Sequence, residues 1–189
     1  MLNRCLRCGR QAHYTLIHEH KYDPAKVFSY GTGNAVRLPG PTPEQQNVFA
    51  FGTAYTSMLD ELRSKDEVLY EQLGLIKMLE RNVSVKTAPE KFQVERSVEL
   101  DVIVTFETRV FDAVVEYLSN RDSTSFKVVH VFGLHIKDNP EAALVGGQNT
   151  VQLLSMLAES DDWEENIAHT LEEFQQKSGK QVLHAVLFY

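Results

Sequence analysis

Cysteine is scarce: Cys5 and Cys8 are the only two in 189 residues. Two thiols so close together cannot frame a disulfide-stapled fold, so a reducing compartment, cytosol or nucleus, is expected. Long apolar runs are lacking as well, and none approaches the roughly 20 residues that span a bilayer. Residues 1–10 carry three arginines and no apolar h-region, so no secretory signal is expected. A basic surplus is also missing. The formal net charge of −7 excludes a surface that draws nucleic acid as a whole, and any anionic ligand must find a local basic site. There is no repeat and no low-complexity tract. What remains is ordinary globular composition, 43% apolar and 24% charged. It is expected to form one domain, residues 1–189, with an atypical stretch at 1–20.

Residues 26–30 (KVFSY) read as a short strand stopped by Gly31-Thr32-Gly33. Residues 38–43 must then be a loop, because Pro39, Pro41 and Pro43 remove backbone donors. Over residues 53–82 the pattern is helical, with Leu59, Leu62, Leu69, Leu73, Ile76 and Leu79 at three-to-four-residue spacing for most of its length. Ser64 and Asp66 are caps that would divide it, and Gly74 would end its second helix. Residues 100–106 (LDVIVTF) and 126–132 (FKVVHVF) read as buried strands. Between them, residues 107–120 form a helix with Val110, Phe111, Val114, Val115 and Leu118 on one face. Asn139-Pro140-Glu141 starts a helix that runs toward Ser160, weakened by Gly146-Gly147. Asp161 with Glu164 resembles a capping box before the stripe Trp163, Ile167, Leu171 and Phe174, and Gly179 closes that helix. Residues 182–189 (VLHAVLFY) are a final strand. Alternating strands and helices predict an α/β fold with a mainly parallel central sheet flanked by helices. Ligands of such sheets sit beyond the carboxyl ends of the strands, which points to the loops after Tyr30, Phe106 and Phe132.

Three motifs carry chemistry. Asp138-Asn139-Pro140 can be read as a helix cap or as a carboxylic acid held near a scissile bond, and one residue can serve both. Residues 31–41 (GTGNAVRLPGP) have the glycine content of a phosphate cradle, although a turn followed by a rigid loop is the default. Arg37 beside Leu38 and Pro39 suits a peptide that is anionic and proline-rich. Cys5, Cys8, His13 and His18 have a spacing close to that of a zinc knuckle. Two cysteines and seven histidines produce such a match by chance, and Leu16 and Ile17 suit a helix, so no metal and no cofactor are assigned.

From Gly31 to Tyr189 the chain resembles the RNA polymerase II C-terminal-domain phosphatases of the cleavage-and-polyadenylation machinery. The blocks that carry the resemblance are YGTGNAVRLPGP (30–41), NVFAFG (47–52), KDEVLYEQLGLIKMLERN (65–82), PEKFQ (89–93), DVIVTFETRV (101–110), KDNPE (137–141) and EFQQKSGKQVLHAVLFY (173–189). The resemblance implies a low-molecular-weight-phosphatase-like fold and removal of phosphate from the fifth-position serine of the heptad repeats, with the next proline cis. It implies a nuclear protein of 3′-end formation and termination, partnered by the phosphorylated repeats and a symplekin-like scaffold, with no direct contact to nucleic acid or membrane. Residue by residue, Asp138 matches the family's general acid. Arg37, Leu38 and Pro39 match one wall of the substrate groove, and Tyr70, Leu75 and Met78 match the apolar pocket for the proline side. From periodicity alone, those last three read as helical core.

One departure stands out. The family's nucleophile lies in a Cys-x5-Arg-Ser loop after the first strand, where successive N–H groups wrap phosphate oxygens and the Arg closes the ring. That cradle also lowers the thiol pKa, so that a thiolate attacks phosphorus. Here Gln11 stands six residues after Cys5 and Tyr14 six after Cys8, while Cys5 and Arg10 enclose one residue too few. The first strand is therefore expected to be missing or altered. Three explanations stay open: a truncated or mis-joined coding sequence of an active enzyme, which is preferred; a short or inactive relative that binds scaffold or repeats without hydrolysis; and an altered loop served by Cys5 or Cys8. Without the nucleophilic loop, this exact chain is expected to be inactive although its family is one of phosphatases. A sheet deprived of a central strand would be poorly stable alone unless a partner or residues 1–6 filled the gap.

Overall fold

The computed structural model describes residues 2–4, 27–94, 99–122, 125–137, 139–159 and 162–189. In chain order the elements are β1 (Leu2–Arg4), β2 (Ser29–Gly31), β3 (Val36–Leu38), β4 (Asn47–Phe49), α1 (Tyr55–Gln72), α2 (Leu75–Val85), β5 (Glu90–Lys91), β6 (Val102–Thr105), α3 (Thr108–Asn120), β7 (Val128–Leu134), α4 (Pro140–Ala158), α5 (Ile167–Ser178) and β8 (Val182–Phe188). They divide into two compact units, Met1–Thr32 with Arg96–Tyr189, and Gly33–Glu95.

The first unit is built on a sheet in the order β2-β1-β6-β7-β8. β1 pairs parallel with β2 and β6, and β6 parallel with β7; only β8 runs antiparallel, along β7. One register row crosses the sheet through Ser29, Leu2, Val104, Phe132 and His184. The central place where a missing or altered strand was expected is thus taken by the three residues of β1. Short β-branched runs flanked by helices account for this arrangement, since strands covered on both faces must be apolar throughout. Val104, Phe106, Phe132 and Leu134 accordingly join Ile136, Leu153, Leu157, Ile167 and Phe174 in one buried core.

The helix ends follow local chemistry. Asn139 caps α4 by accepting from the Ala142 N–H at 2.8 Å, and Pro140 takes the first helical position. Gly146, expected to weaken α4, packs closely on Ile136: a Cβ would stand 2.1 Å from Ile136 Cδ1, so that side chain would have to shift to admit one. α5 begins later than expected. Residues 162–166 form a turn, with the Glu165 and Asn166 N–H groups bonded to the Asp162 carbonyl, and the helix starts at Ile167. Trp163 leaves the helical stripe and packs edge-on against His130. Asp161, the other half of the expected capping box, and the zinc-like set Cys5, Cys8, His13 and His18 lie outside the described residues.

The second unit holds the antiparallel pair β3–β4 and the packed helices α1 and α2. The segment read as turn and rigid loop contains a strand, because Val36 and Leu38 alternate with Arg37 and bury one face. Asp66 breaks α1 as expected: it is non-helical, and its carboxylate accepts from the Leu69 N–H at 3.0 Å. Gly74 separates α1 from α2 at φ 70°. Of the periodic leucines, Leu59, Leu62 and Leu79 are buried with Ile76, whereas Leu73 is exposed.

Candidate functional site

The residues expected to face substrate fall in both units. In the second, β3 and β4 present two faces. Val36, Leu38, Asn47 and Phe49 point inward, and Arg37 and Val48, directly opposed in register, point outward into solvent. Arg37 has no salt-bridge partner among the described residues, so its guanidinium is presented as a positive group beside an exposed aliphatic one. Leu38 is buried and Pro39 half-buried. Pro39 leads into a loop whose closeness is set by Gly40, where a Cβ would stand 1.6 Å from the Gln45 carbonyl oxygen.

Tyr70 and Leu75 are buried in this unit, and Met78 is half-buried. The helical-core reading of their spacing therefore describes Tyr70 and Leu75 well, and Met78 offers the accessible surface of the three. A residue without an assigned role from sequence links Tyr70 to Pro39. Asn47 Nδ2 donates to the Pro39 carbonyl at 3.0 Å and to Tyr70 Oη at 3.1 Å, while its Oδ1 accepts from Lys65 Nζ at 3.0 Å. Lys65 also pairs with Glu61 at 2.6 Å. In the sequence, Asn47 stands only as the first residue of the resembling block NVFAFG (47–52), with no strand and no role read there.

In the first unit the carboxyl ends of β6 and β7 are tied together. The Ile136 N–H donates to the Phe106 carbonyl at 3.0 Å, and Thr105 Oγ1 to that of Phe132 at 3.4 Å. This fixes the strand that leads to the α4 cap. Asp138, the expected general acid, lies outside the described residues, between this tie and Asn139. At the end of β6, Glu107 pairs with Arg109.

Away from these loops, His130 and His184 lie on neighbouring strands with stacked rings and Nδ1···Nε2 at 3.1 Å. Only one proton can occupy that contact, so at least one ring is neutral. Burial pushes the pKa of both below the ordinary value. Glu164, 3.5 Å from His130 Nε2, opposes the shift at His130, and the His130 charge adds to it at His184. Among the described residues no cluster of three or more His, Cys, Asp or Glu side chains could hold a metal, and no helix is long and apolar enough to cross a membrane.

Comparison with known proteins gives these features a context. Residues 5–189 match the family described as Ssu72-like protein. The chain is 39% identical over 181 residues to the RNA polymerase II C-terminal domain phosphatase SSU72 of Dictyostelium discoideum, covering 95% of this chain and 83% of that protein. It is 42% identical over 163 residues to the human protein of the same name, covering 86% and 84%. Among solved structures, Drosophila melanogaster Ssu72 with symplekin and a cis peptidomimetic of the C-terminal-domain peptide carrying a fifth-position phosphoserine superposes with a TM-score of 0.91. The identity is 35%, over 100% of this chain and 96% of that one. Another Drosophila melanogaster crystal form, described as the serine phosphatase of the RNA polymerase II C-terminal domain, gives 0.92 at 36% identity, over 100% and 98%. The α/β sheet with one antiparallel edge, the strand that turns Arg37 outward and the Asn47 bonds to Pro39 and Tyr70 are thus features of a chain that belongs to the Ssu72 family.

Proposed function

We propose that this chain is a protein serine phosphatase that acts on the phosphorylated heptad repeats at the C-terminus of RNA polymerase II. In this reading it removes phosphate from the fifth-position serine that precedes a cis proline, in the nucleus, during 3′-end processing and termination. A symplekin-like scaffold is its partner. The observation that carries the reading is the match along the whole chain to a structure that holds such a cis phosphopeptide mimic together with symplekin. Within the chain, the outward Arg37 suits a phosphate, since a guanidinium offers paired donors to its oxygens. Leu38 and Pro39 then form the adjoining wall. Met78 supplies an adaptable apolar surface for the proline side, with Tyr70 and Leu75 as its floor. Asp138, placed just before the α4 cap, is the residue proposed to protonate the leaving serine oxygen.

The test is phosphate release from a heptad peptide phosphorylated at the fifth-position serine. Release that Asp138→Asn and either Cys5→Ser or Cys8→Ser abolish, and that Arg37→Ala reduces, would show that an altered loop supplies the attacking thiolate in place of the Cys-x5-Arg-Ser cradle. Binding without release would make the chain a relative that docks phosphorylated repeats without hydrolysis. Absence of both binding and release would refute the proposal.

A further inference from the structure

Residues on the inward face of a short strand are expected to be apolar, and Val36, Leu38 and Phe49 conform. Asn47, opposite Leu38, is buried among them and breaks the pattern. A buried primary amide is costly unless its donors and acceptor are satisfied, and here both N–H groups and the oxygen have partners. The orientation of the amide follows from chemistry. The Lys65 ammonium can only donate and the Pro39 carbonyl can only accept, so the oxygen faces Lys65 and the nitrogen faces Pro39. The three partners come from three places: the loop after β3, the break in α1, and the helical turn beyond it. Pro39 has no N–H of its own with which to hold the loop.

We infer that Asn47 is a positioning residue of the phosphopeptide groove, fixing the Arg37–Leu38–Pro39 wall at a set distance from the helix that carries Tyr70. This rests on the groove reading given above. Asn47 touches no substrate in this account; it acts through the Pro39 carbonyl. Asn47→Asp keeps size and shape but exchanges two donors for acceptors, so a carboxylate faces the Pro39 carbonyl and the wall is pushed outward. Asn47→Leu is apolar and branches at the same atom with the same number of heavy atoms, and it removes the brace without that repulsion.

The experiment measures the affinity of a fluorescent heptad phosphopeptide by anisotropy, well below the melting temperature. The proteins compared are the parent chain, Arg37→Ala, Asn47→Asp, Asn47→Leu and Leu62→Ala. Leu62→Ala truncates a fully buried residue of the same unit and reports pure destabilisation. Asn47→Asp is expected to weaken binding about tenfold, the scale of one mispaired buried polar group. Asn47→Leu is expected to move affinity the same way, which preserves the test if the aspartate variant does not fold. Leu62→Ala is expected to lower the melting temperature and leave affinity intact. Unchanged affinity in both Asn47 variants, while Arg37→Ala weakens binding, overturns the inference and leaves the groove standing. Weakening by Leu62→Ala in proportion to lost stability reduces Asn47 to a structural residue. If the parent chain does not bind, or Arg37→Ala has no effect, the groove reading fails and the inference falls with it.

Discussion

Gly146 and Ile136 should behave as a coupled pair. An added Cβ at Gly146 would lie 2.1 Å from Ile136 Cδ1 and 3.1 Å from its Cγ1 and Cγ2. In a helix interior Ala is worth about 1 kcal/mol over Gly, whereas overpacking a filled core costs about 1–3 kcal/mol. Gly146→Ala alone should therefore destabilise by up to about 2 kcal/mol, the clash exceeding the helical gain. Ile136→Val deletes the Cδ1 methyl and should cost about 0.5–1.5 kcal/mol. In the double variant the new methyl occupies the vacated space, so the helical gain is kept and most of the clash disappears. The pair should return close to parental stability, with a coupling of about 1–2 kcal/mol that favours the double variant. Urea denaturation of the four proteins measures this directly, provided the slopes agree. Additive effects, or a Gly146→Ala variant more stable than the parent, would refute the packing argument. The outcome matters for catalysis too. The Ile136 N–H is tied to the Phe106 carbonyl, and Asp138 follows two residues later, so a displaced Ile136 pulls on the segment proposed to carry the acid.

Two further perturbations test other parts of the fold. His130 and His184 are held below the ordinary histidine value of 6.5, so the unfolded chain takes up protons first. Their stabilising contribution is whole above 6.5 and is lost as pH falls from there toward the depressed folded values. Thermal melts across that window should show the loss, and His184→Phe, which can keep the stack on Phe132, should shrink it; an identical pH profile in the variant would count against the pair. Gly40→Ala must open the loop, because the clashing atom is a backbone oxygen and not the tip of a flexible side chain. It should cost about 1–3 kcal/mol and weaken phosphopeptide binding, and a parental melting temperature with parental affinity would show the loop to be loose.

Much of the architecture was legible because it is written in local chemistry. Asn139 and Pro140 start α4 where their backbone preferences require it, and the Asp66 carboxylate interrupts α1 in the way its type suggests. Other features depend on partners distant in sequence. Nothing local says that Trp163 will leave its helical stripe, since the aromatic contact that claims it comes from β7. Gly146 reads as a weak point until Ile136 is brought against it. The site was legible chiefly by resemblance. Arg37 is outward and accessible, while Tyr70 and Leu75 sit in the interior as their helical spacing suggests. Asn47 was given no role although it opens the resembling block NVFAFG, because its meaning lies in bonds to Pro39, Lys65 and Tyr70.

The place of β1 sets a timetable for synthesis. Leu2 pairs with Ser29 on one side and with Val104 on the other. Three residues make too few ladder bonds to persist as an isolated pair, and their second neighbour is translated only after the whole Gly33–Glu95 unit. Closing so long a loop must precede the pairing it enables, which slows that step. The Gly33–Glu95 unit, whose contacts are local, is free to form on the ribosome first. The central strand is then made before its second neighbour and is among the last to find its place, and until then β2 and β6 expose edges that chaperones or other chains can meet.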